Sequence, residues 1–134
     1  MMKSIFIGAV AGFLTTTLAV AQEQGAEYAP GEREELARAA LGDGKEIAIQ
    51  RVTFPGGWSG ARHTHGGQVF VYVLDGNLQV ETDGSEPKMV SGGELTEEPM
   101  DTPMVAMNES DSEPVTILLI QVSQEGVPLM TRVE

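Results

Sequence analysis

The chain has 134 residues, with twenty Asp and Glu against eight Lys and Arg, a net charge of −12 and no cysteine. That balance argues against nucleic acid and anionic membrane surfaces as partners, because both are held through basic patches. Without cysteine there are no disulfides, so stability has to come from packing and strand pairing.

Met1-Met2-Lys3-Ser4 is a short basic opening, Ile5 to Val20 is almost wholly apolar, and Ala19-Val20-Ala21 offers small residues before Gln22. This is the pattern of a secretory signal peptide over residues 1–21, which predicts an exported protein, periplasmic or secreted. The alternative is an uncleaved membrane anchor, for which the apolar run is short of the ~20 residues that span a bilayer. The remainder is the size of one domain. Gln22 to Gly31 is polar with Gly and Pro and reads as a flexible arm. Glu32 to Leu41 is expected to be a short amphipathic helix: Leu36, Ala37, Ala40 and Leu41 make one stripe, Glu34 and Arg38 an i,i+4 pair, and Gly42 a stop. It would lie against the rest of the domain or a partner subunit. Residues 22–44 are thus an arm with a short helix, and 45–134 the main domain.

From Glu46 the period becomes that of strands. Ile47 to Phe54 alternates until Pro55-Gly56-Gly57 breaks it. Ala61 to His65 and Gln68 to Leu74 follow, then Asp75-Gly76, a hairpin signal. Leu78 to Thr82 leads to a second such dipeptide, Asp83-Gly84. Lys88 to Val90, Leu95 to Glu97, Pro103 to Asn108 and Val115 to Val122 complete the set. The last is continuously apolar, as in a strand covered on both faces. Many short strands with glycine turns predict an all-β sandwich or barrel. Gly126 to Thr131 reads as an extended tail.

The only two histidines, His63 and His65, stand one residue apart. Side chains at i and i+2 of a strand share a face, so both rings can reach one point. Gly57, His63, His65 and Gly76 resemble, at the right spacings, the first motif of the cupin family: a glycine, His-x-His, a glutamate and a closing glycine. Gly93, Pro99, Pro103 and Asn108 are similarly placed to its second motif. Two family positions differ: Val69 stands where the glutamate is expected and Met104 where the third histidine is expected. The resemblance covers roughly residues 45–133. It implies a small double-stranded β-helix (jelly-roll) barrel, similar to the exported quercetin-dioxygenase-like cupins, often a homodimer, with its ligands inside the barrel.

His63 and His65 are therefore candidate metal ligands, against the plainer reading of solvated strand residues. Val69 cannot supply an anionic donor. Gln68 offers a neutral carbonyl oxygen, but only if a bulge after Gly66-Gly67 turns it inward. Met104 is either a flexible apolar filler or a thioether donor that would favour copper. Met107, by alternation, faces away from it. Trp58 is a candidate for stacking on a ligand or covering a barrel edge, and Asn108 for a hydrogen bond near the site. Arg62 should point outward to a surface ion pair, Tyr72 should pack with Phe70 and Leu74, and Glu94, Glu97, Glu98 and Asp101 read as a solvated acidic face. Three functions follow as expectations. The first is an exported barrel binding a small ligand, with or without a metal on the two histidines. The second is a metal-dependent oxygenase or isomerase acting on a small organic molecule, and the third a copper-binding protein using His63, His65 and Met104. The cofactor is one divalent metal or copper ion, or none.

Overall fold

A computed structural model describes residues 32–134. The expected signal peptide and the arm to Gly31 lie outside the described residues. Ten strands follow one another: β1 (Glu32–Gly42), β2 (Lys45–Phe54), β3 (His63–Thr64), β4 (Gln68–Asp75), β5 (Asn77–Thr82), β6 (Lys88–Ser91), β7 (Leu95–Glu98), β8 (Met104–Met107), β9 (Val115–Gln124) and β10 (Thr131–Arg132). They form two antiparallel five-stranded sheets, in the orders β1-β2-β9-β4-β7 and β10-β3-β8-β5-β6. Strands β1, β2 and β9 are long, at 11, 10 and 10 residues, the others are of usual length or shorter, and the two sheets roll against one another as a jelly-roll.

The period-2 rule fills the space between the sheets. Val69, Val71 and Val73 of β4, Val52 and Phe54 of β2, Val115, Ile117 and Leu119 of β9, and Leu78, Val80 and Val90 of the other sheet are all buried in one core. Their odd-even partners face out. On β9 this gives strict alternation, with Leu118, Ile120 and Val122 only half-buried, so the strand is not covered on both faces as its apolar run suggests. Phe70 and Tyr72 of β4 lie on the same outer face.

Residues 32–42 do not form the expected helix. They are an edge strand, paired with β2 from Glu32↔Thr53 to Gly42↔Lys45 and exposed along its whole length. The turn that joins them explains it. Gly42, Asp43 and Gly44 all have positive φ (88°, 52° and 72°), so Asp43-Gly44 is a hairpin turn and Gly42 leads into it instead of ending a helix. The Glu34 and Arg38 that a helix would have paired find other partners: Arg38 reaches Glu46 across the hairpin at 2.6 Å and Glu35 along its own strand at 3.0 Å, and Glu34 pairs across to Arg51.

The Asp75-Gly76 turn does the opposite of what its sequence suggests. Strands β4 and β5 belong to different sheets, so the turn carries the chain from one sheet to the other and closes no hairpin. Gly76 sits at φ 87°, and a Cβ there would lie 2.8 Å from the Pro114 carbonyl oxygen; only glycine meets both demands. Asp83-Gly84 does join a hairpin, β5 with β6.

Candidate functional site

Between the sheets lies a narrow cavity lined by Arg33, Val52, Phe54, Trp58, Gly60, Ala61, His63, His65, Val71, Leu78, Glu98, Ala106, Ile117, Leu119 and Met130. Side chains nearly fill it, leaving a volume of about 30 Å³, room for one or two waters. His63 and His65 are 6% and 1% exposed. Both rings therefore point into the barrel, with centroids 4.9 Å apart and planes at 84°.

The backbone fixes how each ring is turned. His63 Nδ1 lies 2.8 Å from the Ala61 carbonyl oxygen, and His65 Nδ1 lies 2.6 Å from that of Leu129. A carbonyl can only accept, so each Nδ1 carries its hydrogen and donates it. In the neutral rings this leaves Nε2 as the lone-pair atom on both. The tail residue Leu129 is held in place because β10 pairs with β3, Thr131 opposite Thr64 and Arg132 opposite His63.

Glu98 is the residue that the sequence did not reveal. Among the acidic residues of 94–101, Glu94, Glu97 and Asp101 are exposed, but Glu98 is 4% exposed, with its carboxylate 2.9 Å from His65 Nε2. The contact is an ion-pair approach without good hydrogen-bond alignment, since His65 Nε2 has no partner of proper geometry. Its origin is register. Val69 of β4 stands directly opposite Glu98 of β7, and paired residues share a face of the sheet. The carboxylate absent at position 69 therefore stands one strand away, on the same inner face. The alternation of β7 carried the signal, because Thr96 and Glu98 share parity and a four-residue strand has one face inward.

Burial disfavours the charged form of both imidazoles. For His63 that effect dominates over the Ala61 carbonyl, and its pKa is lowered. For His65 burial also pulls downward, but the close Glu98 carboxylate, with the Leu129 carbonyl, outweighs it and the pKa is raised. The two neighbouring rings are thus shifted in opposite directions, because the Glu98 carboxylate touches His65 and acts on His63 only as the smallest of several influences.

The other expected site residues divide clearly. Trp58 lines the cavity, its ring stacked on Phe54 with centroids 4.0 Å apart, and a Cβ at Gly60 would strike that ring at 2.8 Å. Met104 is buried and directly opposite His63 across β8 and β3, though it does not line the cavity; Met107 faces away from it, as alternation predicts. Gln68 is on the wrong side. No bulge turns it inward; it is exposed on the outer face and donates to Glu97 at 3.0 Å. Asn108 is buried, but its side chain is spent on structure. Its Nδ2 donates to the carbonyls of Pro55 (3.0 Å) and Glu113 (2.8 Å), and its Oδ1 accepts from Ser110 N (3.1 Å). Arg62 pairs with Asp83 at the surface, as expected.

The family profile described as the cupin domain matches residues 50–121, more than half of the chain. The chain belongs to the cupin family. A search of curated proteins finds no match. Solved structures resemble this cupin in fold. A cupin-like protein of Thermotoga maritima superposes with a TM-score of 0.60 at 16% identity, covering 75% of this chain and 74% of that one. A double-stranded β-helix cupin of Methanocaldococcus jannaschii gives 0.55 at 14% identity, covering 68% and 82%. The DMSP lyase DddQ of Ruegeria pomeroyi gives 0.58 at 17% identity, covering 65% of this cupin but only 43% of the lyase. At these identities the likeness is one of fold.

Members of the cupin family often bind a metal, and the donors here meet that use in part. Among the described residues no three His, Cys, Asp or Glu side chains converge on a ready ligating point. What the chain does supply is two Nε2 lone pairs and one buried carboxylate. The close approach of a carboxylate oxygen to an imidazole lone pair, acceptor against acceptor, demands a positive charge between them. A proton or a metal ion meets that demand.

Proposed function

We propose that this cupin binds a small ligand in its barrel with the help of a divalent cation on His63 and His65, Glu98 serving as the acidic donor. The reading is supported by one observation above the others: both Nδ1 atoms give their hydrogens to backbone carbonyls, so both Nε2 atoms are lone-pair donors. Two imidazoles and one carboxylate are donor types suited to manganese, iron, nickel or zinc, and the ion would have to draw them together from positions that do not converge on one point. A bound cation supplies Lewis acidity and open positions for ligand oxygens. The chain's own residues do the rest. The Ala61 and Leu129 carbonyls orient the rings, Glu98 offsets positive charge, and the apolar walls exclude water. The lyase named among the structural relatives contributes its fold to this reading and no substrate.

Metal analysis of untagged protein purified from its native compartment tests the proposal. About one equivalent of divalent metal is expected, lost in the His63→Ala, His65→Ala variant. A protein that carries none and takes up none of manganese, iron, nickel, copper or zinc overturns it, and leaves a proton as the cation between His65 and Glu98.

Copper is a second reading, supported by Met104 lying opposite His63 in register. A thioether beside an imidazole favours Cu(I). Met104→Leu conserves volume and costs little stability, so unchanged Cu(I) affinity in that variant removes this reading.

A further inference from the structure

We infer that residues 127–133 are a strap that must lift before anything reaches the two histidines, and whose seating in turn fixes His65. This inference rests on the cavity being a ligand site and gives the route into it. His63 and His65 are 6% and 1% exposed, and about 30 Å³ is left between the walls. Neither a hydrated ion nor an organic molecule reaches an Nε2 atom unless a wall moves. The walls are held unequally. Strands β2 and β9 pair without interruption from Lys45↔Gln124 to Phe54↔Val115. The loop that carries Trp58 is tied to the 106–110 segment, where Gly57 N donates to Ser110 O at 2.6 Å, Gly60 N to Ala106 O at 2.9 Å, and Trp58 O accepts from Asn108 N at 2.8 Å. Strand β1, which brings Arg33, is paired with β2 from Glu32↔Thr53 to Gly42↔Lys45.

The strap is the exception. Strand β10 is the edge of its sheet and pairs with β3 only at Thr131 and Arg132, both exposed. Strand β3 in turn meets β8 at the single position His63↔Met104. Val133 N donates to Arg62 O at 3.0 Å, and the Gln121 amide reaches the Pro128 carbonyl at a long 3.4 Å. Yet this lightly held segment covers the site. Leu129 packs on the core, Met130 lines the cavity, and a Cβ added at Gly66, beside His65, would meet Val127 at 2.9 Å. Segments with short ladders and exposed backbone bonds open first, at free energies below that of global unfolding. The 2.6 Å bond from His65 Nδ1 to the Leu129 carbonyl gives the motion a chemical consequence. With the strap lifted the ring is free to turn, so its Nε2 lone pair is aimed into the site only while the strap is down. The carbonyl bond makes the ring a better donor, and by reciprocity an occupied Nε2 holds the strap in place.

A chain without cysteine accepts a single reversible staple. Gly66→Cys with Val127→Cys places two thiols within bridging distance. Entry is read with diethyl pyrocarbonate, which carbethoxylates imidazole and is followed by ultraviolet absorbance. His63 and His65 are the only histidines, so the signal comes from the cavity alone. The oxidised protein should react at least about tenfold more slowly than the same protein reduced with a phosphine. Gly66→Ser with Val127→Ser, which cannot bridge, should match the reduced form. Equal rates in the oxidised and reduced forms, with the disulfide verified by mass spectrometry, overturn the inference. Native-state amide exchange tests it in the wild type. The Val133 amide, bonded to Arg62, should exchange at least about tenfold faster than the Gly60 amide, bonded to Ala106 in the rival wall; exchange no faster than Gly60 also overturns it. Divalent metal uptake is timed on the same samples. Uptake as fast in the oxidised form as in the reduced form defeats this inference alone; carbethoxylation gated by the staple in a protein that takes up no metal defeats the cation reading alone.

Discussion

A histidine whose Nδ1 donates to a backbone carbonyl has one use left for its ring, and in this cupin both histidines are in that state. The difference between them is Glu98. Glu98→Gln keeps the shape of the side chain and removes its charge, so metal affinity is expected to fall by about ten- to hundredfold, measured by calorimetry. The same substitution has a pH signature in chelator-treated protein. The folded pKa of His65 is raised above 6.5, so its contribution to stability is fully present below that value and is lost as pH rises through the folded pKa. The folded pKa of His63 is lowered, so its stabilising contribution is present above 6.5 and is lost as pH falls. Glu98→Gln removes the first effect and leaves the second. It should therefore cost more stability at about pH 5.5 than at about pH 8.5 in denaturant titrations; an equal cost at both would show that the His65–Glu98 contact carries no proton. Asn108 is a different kind of residue. Asn108→Ala removes the hydrogen bonds that the buried Asn108 amide gives to the Pro55 and Glu113 carbonyls and should lower stability by about 1 kcal/mol or more, with metal affinity in the folded protein unchanged. At this scale the sequence exposed the histidines, because their spacing alone places both rings on one face. It hid Glu98, because a carboxylate beside three exposed ones looks like surface until the strand that buries it is known.

Elements decide which residues meet. His-x-His is local, but the pairing of Val69 with Glu98 joins residues 29 apart in the chain, and no period in either strand announces it. That pairing makes a specific exchange possible. Glu98→Val alone should abolish most metal binding, whereas adding Val69→Glu returns a carboxylate to the same inner face one strand over. The double variant is expected to recover affinity to within about tenfold of wild type, since facing Cβ atoms in such pairs lie only about 5 Å apart. No recovery in a folded double variant would mean that Glu98 acts from β7 through geometry that β4 cannot supply. Strand β1 teaches a related lesson. Its alanines, leucines and i,i+4 charges satisfy a helix as well as a strand, and local propensity is a weak prior against tertiary pairing. Asp43-Gly44 was the deciding feature, a hairpin dipeptide placed between two runs that could pair. Asp75-Gly76 carries the same chemistry and joins two sheets instead. A left-handed turn fixes a change of direction, and what the chain pairs with afterwards depends on the rest of the barrel.

For the whole molecule the charge matters more than any single contact. Strand spacing and glycine turns were enough to identify an all-β barrel, whereas the order β1-β2-β9-β4-β7 depends on contacts across the full length of the chain and was not readable. The consequence of −12 charges around the proposed cation site is kinetic. The summed field attracts a divalent metal ion toward the barrel. Salt screens that attraction, with a Debye length of about 10 Å at 0.1 M. Raising sodium chloride from about 0.02 to about 0.2 M should therefore slow metal association, followed by stopped-flow Trp58 fluorescence. A rate that does not fall would mean that the ion does not feel the acidic surface as a whole. In that case the local charge of Glu98, unscreened inside the barrel, would govern entry alone.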